Sequence, residues 1–260
     1  MNSQFTIVGH YQFRCRSLGL ESALRRCDDA LPPDLCGMIC DMGDILYDAS
    51  MWRRWLLQLL QRFGLHTNYR AFYRVWEREF ADAVNCGQAD YWETLSRFLL
   101  SAGLNQALID ELTAAARSRC RDLQANVRPL PGVRSTVASL DNLGMAMVGI
   151  ANGTETKEQL RERLCDMQLE QYIPAAVSSC DLGCTMPAAE AYQAALAELG
   201  LPPEKVAFVG HDAIELAGAR SLGMTTIAVN YDLDAQADIY LDRFEQLIDL
   251  VARLPLAQAV

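Results

Sequence analysis

Gly37-Met-Ile-Cys-Asp41-Met-Gly43 is the stretch that decides the fold. A short apolar run ends in one acid, as a buried parallel strand does when it delivers a polar side chain at its carboxyl end. Gly43 follows as a residue able to turn the chain tightly. Further along, beyond Pro129 to Pro131, helices and strands alternate. Helix Gly132–Leu143 precedes strand Met145–Asn152, and helix Glu155–Met167 precedes strand Ala175–Cys180. Helix Ala188–Leu199 precedes strand Lys205–Gly210, helix Ala213–Leu222 precedes strand Met224–Asn230, and a last helix covers about Leu241–Leu254. Short apolar strands alternating with amphipathic helices predict an α/β fold, a Rossmann-like parallel sheet wound by right-handed crossovers. Ligands of such sheets sit at the carboxyl ends of the strands, so the chemistry belongs in the loops that leave them.

Between the first strand and that alternation the pattern changes. Met51, Trp52, Trp55, Leu56, Leu59, Leu60 and Phe63 recur at spacings of three and four, which predicts an amphipathic helix. Helical stretches follow at about Asn68–Val84, Tyr91–Ala102 and Asn105–Gln124. All four tryptophans, Trp52, Trp55, Trp76 and Trp92, lie in this segment, and their spacing reads as the core of an inserted all-α bundle. The division expected is therefore an N-terminal arm over 1–35, an α/β core over 36–49 and 129–260, and a helical bundle over 50–128. Within the arm, Phe5–Val8 reads as a short strand and Leu18–Leu31 as a helix ended by Pro32-Pro33.

Composition narrows the function. The 260 residues carry 23 Lys+Arg against 33 Asp+Glu, a formal net charge of −10 that argues against nucleic-acid backbones and anionic membranes as partners. Only two of the basic residues are lysines, Lys157 and Lys205. The nine cysteines are odd in number and form no C-x-x-C pair, so reduced thiols packed as small hydrophobes in a cytoplasmic protein are expected. No apolar run is long enough to span a bilayer, and Met1 to Arg16 lacks the apolar core of a signal peptide.

Four loops leave four core strands. They are Asp41-Met-Gly-Asp44 running to Asp48, Ile150-Ala-Asn152-Gly153-Thr, Cys180-Asp-Leu-Gly-Cys-Thr-Met186-Pro187, and Val209-Gly210-His211-Asp212-Ala-Ile-Glu215. Pro131-Gly-Val-Arg precedes a helix, and Tyr192-Gln-Ala-Ala-Leu lies within one. Leu199-Gly-Leu-Pro-Pro-Glu-Lys-Val-Ala-Phe-Val-Gly210 and Gly218-Ala-Arg-Ser-Leu-Gly-Met224 complete the pattern. In order and spacing these motifs resemble the haloacid-dehalogenase-like (HAD) hydrolase superfamily, from about Gly37 to the C-terminal helix. The helical bundle stands where that family carries its substrate-selecting cap.

The resemblance implies a chemistry. Asp41 would be a nucleophile forming an aspartyl-phosphate on a small phosphorylated metabolite. Mg²⁺ would be held by Asp41, the Gly43 carbonyl, Asp212 and Glu215. Asn152 and Gly153 would bind the phosphate through backbone N–H groups at a helix start, or serve only as a helix cap. Four positions depart from the family pattern. Gly43 replaces a proton-shuttling acid, Ala151 a hydroxyl, Met186 a lysine and His211 an acid. Losing one preorganised electrostatic contact typically costs about 3–4 kcal/mol, on the order of a hundred- to a thousandfold in rate. Two readings stay open: a phosphatase-type hydrolase working through Asp41, and a catalytically impaired relative that binds a small molecule or a protein. In either, Asp41, Asp44, Asp48, Asp181, Asp212 and Glu215 should crowd one end of the sheet. They should attract a divalent cation or raise some carboxyl pKa values. Lys157, Arg53, Arg54 and Arg74 are the cations with a chance of reaching in.

Overall fold

The computed structural model describes residues 31–254 apart from His66. The arm's expected strand at Phe5–Val8, and its helix before Leu31, lie outside the described residues. In chain order the elements are β1 (Gly37–Asp41), α1 (Ser50–Arg62), α2 (Tyr69–Glu79), α3 (Ala81–Asn85), α4 (Tyr91–Ser101), α5 (Gln106–Gln124) and α6 (Val133–Asn142). They continue with β2 (Ala146–Ala151), α7 (Lys157–Asp166), β3 (Ala176–Ser178), α8 (Ser179–Leu182) and α9 (Ala189–Leu199). The chain closes with β4 (Val206–Gly210), α10 (Ala213–Ser221), β5 (Thr225–Val229), β6 (Ile239–Leu241) and α11 (Gln246–Val251).

The six strands form one parallel sheet in the order β3-β2-β1-β4-β5-β6, which is the α/β Rossmann-like core expected. The apolar runs are explained by burial on both faces. On one face Met38, Cys40, Met147, Ala207, Val209 and Ile227 pack with Val137 and Leu140 of α6, Leu164 of α7 and Leu247 of α11. On the other, Ile39, Val148, Ile150 and Phe208 pack with Ala195 of α9 and Leu216 of α10. Each such aliphatic side chain contributes roughly 1.5–3 kcal/mol by leaving water. Alternation puts Asp41 on the same face as Ile39, at the last paired position of β1, opposite Ile150.

Leu56, Leu60, Phe72, Trp76, Phe98, Leu99, Ile109 and Leu112 form a third core, drawn entirely from α1 to α5 and their links. The aromatic stripe belongs to it: Trp52, Trp55 and Trp92 pack against this cluster, Trp52 stacks on Trp55 at 5.4 Å, and Trp76 lies 5.5 Å from Phe98.

The strand expected over Ala175–Cys180 ends at Ser178 and gives way to the short helix α8, and three further features differ from the sequence reading. The helix expected over Asn68–Val84 is two, α2 and α3, because Phe80 leaves helical geometry (φ −129°) while its ring stacks against Trp76 at 6.1 Å. The helix expected from Leu241 begins at Gln246, and Ile239-Tyr-Leu241 instead pairs in parallel with β5. Three residues with Ile239 and Leu241 inward and Tyr240 exposed are too short to show a period of two. The tight turn after β1 also falls elsewhere: the left-handed residue is Asp44 (φ 57°), not Gly43. Acid and amide side chains tolerate that conformation better than most.

Candidate active site

β1 and β4 are neighbours, with Cys40 opposite Val209. One step beyond Cys40 is Asp41 and two steps beyond Val209 is His211, and both come to the carboxyl edge of the sheet. Asp41 is buried, and its two carboxylate oxygens have different partners. Oδ1 accepts the Gly43 N–H at 3.3 Å, and Oδ2 lies 3.0 Å from Nδ1 of His211. The His211 side chain is 29 % exposed and the Asp41 side chain 7 %. Burial alone would depress the imidazole, but the hydrogen bond and charge of Asp41, with Glu215 and Asp44 beyond, push its pKa up to about 9. Burial pushes the Asp41 carboxyl upward, and His211 pulls it back.

Asp44 is committed elsewhere. Its Oδ1 accepts the N–H groups of Ala49 at 2.9 Å and Ser50 at 3.2 Å, at the entrance to α1. Asp48 is held below the usual carboxylate range: Arg54 and the Ser50 hydroxyl and N–H outweigh its partial burial. Asp181 accepts the Lys157 N–H at 2.6 Å. The expected crowd of acids therefore reduces, at its centre, to Asp41, Asp212 and Glu215.

In the fourth loop, Asp212 caps α10: its Oδ1 accepts the N–H groups of Ile214 at 2.8 Å and Glu215 at 3.0 Å. Glu215 reaches back beneath the loops. Its Oε1 accepts from Asn152 Nδ2 at 2.9 Å, while Oε2 is buried with no partner. Burial first, then the charges of Asp41 and Asp212, raise the Glu215 carboxyl well above the ordinary range, which favours its protonated form.

Asn152 joins three loops. Besides Glu215, its amide donates to the Met186 carbonyl at 3.2 Å and its Oδ1 accepts the Met186 N–H at 2.9 Å. The Gly153 N–H is taken by the Ser179 hydroxyl at 3.0 Å. Neither residue stands at a helix start. α7 begins at Lys157, with Thr156 and Gln159 forming a reciprocal capping box, so the expectation of a helix-terminal anion cradle at Asn152 and Gly153 is corrected. Ser179, which sequence reasoning missed, also donates to the Asn85 carbonyl at 2.7 Å and so ties the insert to the core. The signal available was a Ser178-Ser179 pair closing an apolar run.

Met186 is buried in the second face's apolar cluster with Ile39, Val177 and Phe208. Lys157 pairs with Glu198, and Arg53 with Glu77 at 3.1 Å. A cavity of about 390 Å³ opens between insert and core, lined by Gly87, Tyr91 and Trp92 on one side and Thr154 and Cys180 on the other.

Magnesium asks for near-octahedral oxygen donors. Here one oxygen of Asp41 is spent on an imidazole, Oδ1 of Asp212 on its cap, and Glu215 offers one orphaned oxygen. Among the described residues no three His, Cys, Asp or Glu side chains are grouped to hold a metal. The donor set does not fit the magnesium site implied by the resemblance.

The sequence matches the haloacid dehalogenase-like hydrolase family over residues 55–229, and the chain belongs to it. The match begins inside α1, after Asp41 and its loop. Among curated relatives, the glyceraldehyde 3-phosphate phosphatase of Methanothermobacter thermautotrophicus is 26% identical over 204 residues, 76% of this chain and 87% of that one. The L-2-haloacid dehalogenase of Xanthobacter autotrophicus shares the fold with TM-score 0.62 at 16% identity, over 85% of this chain and 100% of that one. A HAD hydrolase of Bacillus subtilis, crystallised with magnesium, does so with TM-score 0.61 at 18% identity, over 84% and 99%.

Proposed function

We propose that this chain is a phosphatase-type hydrolase that acts on a small phosphorylated metabolite through an aspartyl-phosphate on Asp41. The observation that carries this reading is the placing of Asp41: a buried carboxylate at the end of the central strand β1, held by the Gly43 N–H and His211. The phosphatase relative supports the substrate class. An Asp41 oxygen would attack phosphorus as the bond to the leaving oxygen breaks, and water would then release phosphate. Gly43 has no proton to give and Asp44 is bonded to the backbone of α1. The proton donor this reading uses is the His211 ring, through the nitrogen that Asp41 leaves free. With Met186 buried and Lys157 paired to Glu198, little else offsets the phosphoryl charge, and a slow enzyme is expected.

One observation favours a second reading, a binding module. The loops that should cradle phosphate are bonded to each other, through Asn152 to Met186 and Gly153 to Ser179. A panel of phosphomonoesters assayed with wild type and Asp41→Asn, in Mg²⁺ and in EDTA, separates the two. Turnover lost in Asp41→Asn supports the hydrolase. Background rates in both, with a compound that still raises the melting temperature, support the binding module.

A further inference from the structure

The first residue after Gly210 is an imidazole, and it lies on the carboxylate that a bound metal would have to share. Three features fix it there. β1 and β4 are adjacent and pair as far as Cys40 and Val209, so Asp41 and the loop that carries His211 leave the same edge of the sheet. Oδ2 of Asp41 and Nδ1 of His211 are 3.0 Å apart. The His211 carbonyl accepts the Asp232 N–H at 3.1 Å, which anchors the loop from its far side. The remaining acids do not offer an alternative cage: Asp212 bonds two N–H groups of α10, and Oε1 of Glu215 is held by Asn152. An imidazole and a divalent cation meet the same need beside Asp41, but the ring has no open coordination positions and holds the Oδ2 atom that a cation would use.

We propose that the His211 side chain occupies the metal's place beside Asp41, so that this chain takes up no divalent cation there and does whatever it does without one. The inference concerns cation binding and does not depend on Asp41 turning over a substrate.

The test measures thermal unfolding of the metal-stripped full chain with and without Mg²⁺, and Mn²⁺ binding by electron paramagnetic resonance. Wild type should show no Mg²⁺-dependent shift and no Mn²⁺ site. His211→Asp places a third carboxylate beside Asp41 and Glu215 and should gain both. A ligand at ten times its dissociation constant raises the melting temperature of a chain this size by roughly 3–6 °C. That gain should vanish in His211→Asp with Asp41→Asn. His211→Gln, which removes the ring without adding charge, should gain a weaker response and serves if His211→Asp does not fold. A wild-type Mg²⁺ response that Asp41→Asn abolishes overturns the proposal, and this arm needs no folded His211 variant. Folded His211 variants that bind no more metal than wild type overturn it too. A chain with no phosphatase activity but this metal pattern removes the catalytic reading and leaves the His211 inference standing.

Discussion

Replacing His211 by Gln should reveal how far the buried carboxylate depends on its ring. In the folded chain the imidazole rises from an ordinary 6.5 to about 9. At 1.36 kcal/mol per unit this corresponds to about 3 kcal/mol of stabilisation of the charged ring. Less than a third of the His211 side chain is exposed, so solvent screens only part of this. Breaking a buried pair from one side also leaves the other charge uncompensated. Burying Asp41 works in the opposite direction, and a net loss of about 2–3 kcal/mol is expected for His211→Gln. The sign of the pH dependence follows from the raised imidazole. The stabilisation is full below about 6.5 and is lost as pH rises through about 9. Urea unfolding of wild type, His211→Gln, Asp41→Asn and the double variant, from acid to alkaline pH, yields the coupling energy as a function of pH. It should be largest where Asp41 is ionised and His211 still carries its proton, and fall at the acid end as the raised carboxyl protonates and at the alkaline end as the ring loses its charge. A coupling that is small throughout, or that does not change with pH, would refute the pair as described.

Three other perturbations probe the loops. Asn152→Ala removes the bonds to Met186 and Glu215 and should cost about 2–4 kcal/mol in urea unfolding, since both Glu215 oxygens then lack partners. Met186→Lys restores the family's cation in sequence but places an ammonium among Ile39, Val177 and Phe208. It should lose about 2–5 kcal/mol of stability and gain no phosphatase activity, alone or with Ala151→Ser; a rescued rate would show that position 186 faces the site. Gly87→Ala forces a left-handed residue (φ 68°) to put a Cβ 2.9 Å from the Cys180 carbonyl, where insert meets core. A loss of about 1–2 kcal/mol and faster proteolysis near that junction are expected.

The fold was legible because it rests on periodicity. Gly37–Asp41 and three of the later apolar runs are strands of five or six residues with both faces covered, and the fourth run holds the three-residue β3. The insert announced itself through the spacing of Trp52, Trp55, Leu56, Leu59 and Leu60. Ile239–Leu241 stayed hidden because three residues carry almost no pattern, and the break at Phe80 because it depends on which rings α2 and α4 offer. In the site, chain order located Asp41, His211 and Glu215, but not what their atoms touch. That Asp44 turns to the entrance of α1 and that Oδ1 of Asp212 caps α10 depend on local backbone geometry, and that Asn152 spans three loops is an outcome of packing between distant segments. Ser179 was missed because a serine at a strand end acquires meaning only when Gly153 and Asn85 arrive beside it.

The placing of the indoles has a practical outcome. All four belong to residues 52–92, and none to the sheet or the helices that cover it. Intrinsic tryptophan emission from this protein is therefore a private channel to the bundle, blind to the strands. Far-ultraviolet circular dichroism sees both parts. Where the two signals trace one curve, the bundle and the sheet melt as a single cooperative unit; where they part, the emission dates the moment at which the bundle comes away from the sheet.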